Sequence, residues 1–139
     1  MTNAARILEQ AYAGANKAIN EEIACNGPED PNAFDCGFAW VHIPDGRCKF
    51  VRECRQELSR VGVQPNGNMK PGHYGKHNDE DVRIARSIFG SKHWKRGWEF
   101  WGPGKFKGQA VRIKEAGARG FAAVLQENGI QCSVGSRLD

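Results

Sequence analysis

Aromatic and basic side chains are interleaved between residues 92 and 107, and this mixture suits the binding of nucleotides. Aromatic rings stack on bases, while lysine and arginine neutralise phosphate. Eight basic and two acidic residues lie between positions 92 and 119. Such a patch indicates a surface for nucleic acid or a nucleotide, but it carries no sequence code. The candidate ligand-binding residues are Lys95, Arg96, Trp98, Trp101, Lys105, Lys107, Arg112 and Arg119.

A glycine-rich loop at 102–108 precedes a predicted helix, where free backbone N–H groups can hold an anion. Lys105 and Lys107 stand in this loop. Arg112 and Arg119 are seven residues apart, so they can share one helix face and bind phosphate. The loop lacks the Gly-Lys-Ser/Thr ending of a P-loop and the three-glycine dinucleotide fingerprint. The loop therefore predicts an anion site that has neither of these nucleotide-binding motifs.

A structural interpretation of the same aromatics stays open. In a strand at 97–101, Trp98 and Phe100 share one face, while Trp101 lies on the other. Trp98 and Phe100 would then belong to the core, and Trp101 would close a hydrophobic edge.

Metal binding finds little support in the spacing of cysteines and histidines. The five cysteines include no Cys-x-x-Cys pair, and buried cysteine usually acts as a small hydrophobic residue. His73 and His77 have a spacing known from zinc sites, but no cysteine pair accompanies them. Cys54 fits the apolar face of a helix. We therefore expect reduced thiols in a reducing compartment, with no metal and no cofactor.

Catalysis is also weakly supported. The four histidines could supply a base and Cys36 a nucleophile, but no spacing commits two of them to one site. We therefore expect a binding protein rather than an enzyme. A small nuclease or hydrolase stays an alternative.

Hydrophobic periodicity and turn residues predict an α+β or α/β fold, with helices packed on a small sheet of three or four strands. The arrangement becomes ferredoxin-like if the loop at 63–77 contains a further strand. The predicted helices cover 3–24, 48–61, 79–89 and 109–128, and the predicted strands cover 37–43, 97–101 and 130–138.

The chain divides into an N-terminal helix at 1–27 and a core domain at 28–139, with a loop and helix insert at 63–96. The apolar stripe of the first helix is narrow and rich in alanine, so its partner is another helix or a second copy of the protein. Gly117 and Gly120 interrupt the last helix at a cost of roughly 1 kcal/mol each. They predict close approach of another backbone.

Charge is distributed unevenly along the 139 residues. The net charge of +4 divides into −5 for residues 1–45, +4 for 46–91 and +5 for 92–139. A basic C-terminal part indicates an anionic partner, although the acidic N-terminal part can also balance it within the chain. No apolar run approaches the roughly 18 residues of a membrane span, so we expect no membrane contact.

Several stretches resemble short uncharacterised proteins of bacteriophages and prophages. They are Cys36–Val41, the Trp98–Gln109 block, Lys114–Ala122 and the tail Gly135–Asp139. The resemblance covers about 60% of the chain, excludes 63–96 and brings no catalytic motif. It implies work in the cytoplasm of an infected bacterium, where the protein would counteract a host process or defence. A protein inhibitor of a host protein is the alternative, with Trp94, Trp98 and Trp101 as anchors.

Overall fold

A computed structural model describes residues 2–30, 37–64 and 79–138. It shows four helices and four strands, which confirms the α+β class with an N-terminal helix. In chain order they are α1 (Asn3–Asn26), β1 (Gly37–Ile43), α2 (Lys49–Arg60), α3 (Asp79–Phe89), β2 (Ser91–Lys92), β3 (Trp98–Trp101), α4 (Val111–Glu127) and β4 (Ser133–Leu138).

The four strands form one sheet in the order β2-β3-β1-β4, and all neighbours are antiparallel. Strand β3 lies between β1 and β2, and β1 lies between β3 and β4. This strand order is the one found in a split βαβ arrangement. A ferredoxin-like topology is therefore an interpretation of this fold. The further strand is the two-residue β2, outside the loop proposed for it, and residues 65–77 of that loop lie outside the described residues.

One face of the sheet carries the hydrophobic core. Successive β1 residues alternate between buried and more exposed, because neighbouring side chains of a strand point to opposite faces. Val41 and Ile43 point inward with Trp98 and Phe100 of β3, and these side chains are at most 2% exposed. All four helices contribute further core residues, among them Leu8, Val51, Val82 and Phe121.

Helices α1 and α4 pack closely enough to require glycine. A Cβ built on Gly120 would lie 2.5 Å from the carbonyl oxygen of Gly14. A Cβ on Gly117 would lie 2.8 Å from the carbonyl oxygen of Pro103. The predicted close approach of another backbone is therefore confirmed, and the alanine stripe of α1 packs on α4.

Helix α4 and strand β4 both begin later than the sequence predicts. Helix α4 begins after Gln109, whose carbonyl accepts a hydrogen bond from the backbone N–H of Gly37 at 3.0 Å. Strand β4 begins after Ile130 because that residue closes the end of α4: its N–H donates to Leu125, and Gly129 donates to Gln126 with φ at 78°. This is a Schellman motif, which satisfies the last helical carbonyls.

Among the described helices, none combines the length and the apolar character that crossing a bilayer requires.

Candidate functional site

The sheet face opposite the helices carries aromatic and polar side chains. The register pairs Trp40 with both Trp101 and Gly135, and it pairs His42 with Glu99. Paired residues of antiparallel strands project on the same side of a sheet. We call this surface the open face. On β1, β3 and β4 it comprises Phe38, Trp40, His42, Glu99, Trp101, Ser133, Gly135 and Arg137.

Three aromatic rings form a cluster on the two central strands. The ring centroids of Trp40 and Trp101 are 4.9 Å apart, and those of Phe38 and Trp101 are 6.3 Å apart. Trp101 is 48% exposed and Phe38 is 36% exposed. An exposed group of apolar rings on a protein surface often marks a binding site. We therefore treat these rings as a candidate surface for a ligand.

Trp40 lies across the neighbouring strand at a glycine. A Cβ built on Gly135 would lie 2.5 Å from Cε2 and Cζ2 of the indole. Because Gly135 has no side chain, the Trp40 ring can lie against β4. On its other side, the same ring contacts Trp101 of β3.

Positive charge borders the aromatic cluster at its Phe38 end. The guanidinium carbon of Arg137 is 5.5 Å from the centre of the Phe38 ring, and Lys114 Nζ is 5.3 Å from it. Lys114 also donates a hydrogen bond to the carbonyl of Gly37 at 2.7 Å, which fixes its position. The acidic residue of the open face, Glu99, is only 9% exposed. Among the described residues of the open face, the exposed charged side chain is therefore that of Arg137, which is positive.

The turn between β2 and β3 is held by histidine side chains. His93 Nδ1 accepts hydrogen bonds from the backbone N–H groups of Lys95 at 3.1 Å and Arg96 at 3.3 Å. The N–H of His93 donates to the carbonyl of Gly97 at 3.1 Å. His42 Nε2 lies 2.7 Å from the carbonyl oxygen of Arg96, which ties the turn to β1. We call residues 92–97 the hairpin turn.

Trp94 is the most exposed large hydrophobic side chain among the described residues, at 79%. Its ring stacks on His93 with centroids 5.8 Å apart and an angle of 27°. Lys95 Nζ lies 4.7 Å from the Trp94 ring centre, a cation–π contact. The hairpin turn therefore presents a second aromatic surface with positive charge beside it.

Trp98 belongs to the core rather than to this surface. It is 1% exposed, and its indole N–H donates to the carbonyl of Phe89 at 2.8 Å. Phe100 is equally buried, as the structural interpretation of this strand predicts. A ring in this position has no face free for a base, so we remove Trp98 from the candidate site.

In the glycine-rich loop, backbone N–H groups that could bind an anion donate to side chains of the protein itself. The N–H of Gln109, just before α4, donates to the Glu29 carboxylate. The N–H of Lys105 donates to Asn16 Oδ1 at 2.8 Å. Glu29 therefore occupies the position that we predicted for an external anion. Lys105 and Lys107 are both exposed.

The two arginines of α4 also have internal partners. Arg112 donates to the carbonyls of Gly27 at 2.7 Å and Pro28 at 2.9 Å, so it binds the end of α1. Arg119 pairs with Glu115 at 3.3 Å, one turn earlier on the helix. Of the residues predicted from sequence, the structure places Lys95, Arg96 and Trp101 at the open face or its hairpin turn.

Sequence reasoning missed Phe38, Trp40 and Arg137 as surface residues. The signal was present in β1, where Phe38, Trp40 and His42 occupy every second position. Alternation of this kind places them together on one face. Which face the helices cover was not evident, because aromatic residues fit either side of a sheet.

The described histidines and cysteines do not assemble a metal centre. In residues 2–30, 37–64 and 79–138, no group of three or more His, Cys, Asp or Glu is placed to hold an ion. Cys54 is buried in α2, as predicted, and burial raises the pKa of its thiol. Cys36, His73 and His77 lie outside the described residues.

Comparison with known proteins gives no match to a family model, to a curated protein or to a solved structure.

Proposed function

We propose that the protein binds single-stranded nucleic acid on the open face of its sheet. The observation that carries the proposal is the cluster of Phe38, Trp40 and Trp101 on two adjacent strands. Bases in a single strand are free to stack on such rings, whereas paired bases inside a duplex are not. One common class of RNA-binding domain uses a four-stranded sheet in this way, with aromatic side chains that stack two or three bases.

Charge supports the same ligand. Arg137 and Lys114 border the aromatic cluster at one end, and Lys95 stands at the hairpin turn. Phosphates that follow the stacked bases would meet these cations. Stacking contributes about 1–3 kcal/mol per base, so two stacked bases contribute about 2–6 kcal/mol before the phosphates are counted.

The proposed setting follows from the resemblance to phage proteins. We propose that the protein works without catalysis in the cytoplasm of an infected bacterium, where binding of nucleic acid would counteract a host process or defence. Inhibition of a host protein is less favoured, because the burial of Trp98 removes one of its three expected anchors.

The test is the binding of a fluorescent twelve-nucleotide oligo-dT or oligo-U, measured by anisotropy at low salt. We expect Trp101→Ala and Phe38→Ala each to weaken binding by about 5- to 150-fold, which corresponds to 1–3 kcal/mol. Ile84→Ala is the matched control, because Ile84 is a 42% exposed hydrophobic side chain on α3. Its affinity should equal that of the unsubstituted protein.

A folded protein that binds neither oligonucleotide would refute the proposal. Equal affinity of the Trp101→Ala and Ile84→Ala variants would also refute it, because binding would then occur elsewhere. Saturable, nuclease-resistant binding of a purified host protein, lost in Trp94→Ala, would support the inhibitor instead.

A further inference from the structure

The aromatic surface continues beyond the three-ring cluster. His42 follows Trp40 on the open face of β1, and its ring centroid is 4.6 Å from that of His93. The His93 ring is in turn stacked on Trp94 at 5.8 Å. A row of rings therefore leads from Phe38 along β1 to the tip of the hairpin turn.

This row is longer than one nucleotide. Phe38 and His42 are four residues apart on β1, which corresponds to about 13 Å at the usual rise of a strand. Beyond His42, the His93 ring contacts His42 and the Trp94 ring contacts His93. One base stacks on one ring or on an adjacent pair, so a mononucleotide would leave most of the row empty.

Contacts within the chain position the hairpin turn. His93 accepts two backbone hydrogen bonds, and His42 contacts the carbonyl of Arg96. The stacking on His93 and the contact with Lys95 hold the Trp94 ring in place. A preorganised ring loses less conformational entropy on binding than a mobile one. The Trp94 ring is therefore positioned by its neighbours and, at 79% exposure, accessible to a base.

Positive charge occurs at both ends of the row. Arg137 lies at the Phe38 end and Lys95 at the Trp94 end. A polynucleotide carries a phosphate between each pair of bases, so it can meet both cations while its bases stack between them. A mononucleotide can meet only one.

We infer that the open face and the hairpin turn form one continuous site for a polynucleotide of about four nucleotides or more. In this site Trp94 stacks on the base at one end of the bound stretch. The inference rests on the proposed function, and it adds the length of the bound stretch and the role of Trp94.

The experiment is a length series of oligo-dT from two to ten nucleotides, titrated against the protein and its variants. For the unsubstituted protein, affinity should rise with length and level off once the row is filled. Trp94→Ala should weaken binding of the decamer by about 5- to 150-fold and leave the dinucleotide unchanged. Trp101→Ala should weaken both, and Ile84→Ala should weaken neither.

The two levels of the proposal fail differently. If Trp94→Ala binds the decamer as tightly as the unsubstituted protein, or if thymidine monophosphate binds as tightly as the decamer, the continuous site is wrong while the open face still binds. If Trp94→Ala weakens all lengths alike, Trp94 does not hold a terminal base and the inference is again wrong. If no length binds, the proposed function fails and the inference fails with it.

Discussion

The indole of Trp40 lies over Gly135 of the neighbouring strand, so closely that a Cβ on Gly135 would come within 2.5 Å of the ring. We therefore expect Gly135→Val to displace the ring and disturb its contact with Trp101. Valine favours strands, so the sheet should keep its fold while the stacking surface is lost. Affinity for oligo-dT should fall at least about fivefold, a little over 1 kcal/mol of stacking.

The matched control is Ser136→Val, which places the same side chain on the opposite face of β4, one residue further along the chain. Its affinity should stay within about twofold of the unsubstituted protein. Equal losses in both variants would show that crowding on β4, rather than the Trp40 position, limits binding. Circular dichroism in the near ultraviolet would report the displaced indole independently.

Much of the fold follows from local patterns. The strand around Val41, the helix containing Cys54 and the close approach at Gly117 are all predicted from periodicity and from glycine placement. Strand β2 is not, because two residues carry no period and Ser91 and Lys92 have no strand preference. Strand β2 forms because the hairpin turn places β3 beside it, where the two strands pair.

The candidate site follows less well from the sequence, for two physical reasons. Local charge density singled out Arg112, but its partners are the backbone carbonyls of Gly27 and Pro28, which lie far away in the sequence. Likewise, the aromatic content of 98–101 gave no means of deciding which side of β3 the helices would cover. Long-range contacts decide both, and a local pattern does not contain them.

Gly117 allows α4 to approach both Pro103 and Ile19. A Cβ at this position would lie 2.8 Å from the Pro103 carbonyl oxygen and 2.9 Å from Ile19 Cδ1. We expect Gly117→Leu to lower the free energy of unfolding by more than about 2 kcal/mol, because overpacking forces the helices apart. Urea denaturation measures the change.

Ala123→Leu is its control, since Ala123 is exposed on the same helix. This variant should change stability by less than about 0.5 kcal/mol. Identical urea midpoints for Gly117→Leu and Ala123→Leu would contradict the packing that we describe between α4 and the loop before it.

The buried Cys54 predicts a loss of stability in alkali. Burial raises the pKa of the Cys54 thiol above its ordinary value of 9.0, so the folded state keeps a proton that the unfolded state releases. The free energy of unfolding should be constant with respect to this group below pH 9. Above pH 9 it should fall by up to about 1.4 kcal/mol per pH unit. Tyr12, whose pKa burial also raises, adds to the decline above pH 10.

Urea unfolding between pH 7 and 10.5 measures this profile, and Cys54→Val should make the decline between pH 9 and 10 shallower. Thiol labelling at pH 8 provides a second measurement. Exposed Cys25 should react at once, whereas Cys54 should react only as the protein unfolds. Rapid modification of Cys54 in the folded state would contradict its burial.

The last prediction separates the open face from the glycine-rich loop as the place where phosphate binds. For single strands, the logarithm of affinity falls with the logarithm of salt by about 0.7 for each phosphate neutralised. If the strand crosses the open face, Arg137→Gln should weaken binding and reduce this slope by about 0.7. Lys105→Gln with Lys107→Gln should leave the slope nearly unchanged, because both residues belong to the glycine-rich loop, which is hydrogen-bonded to Asn16 of α1, and not to the open face. If instead the double variant flattens the slope and Arg137→Gln does not, the phosphates follow the loop, and the anion site predicted from the sequence is the true contact.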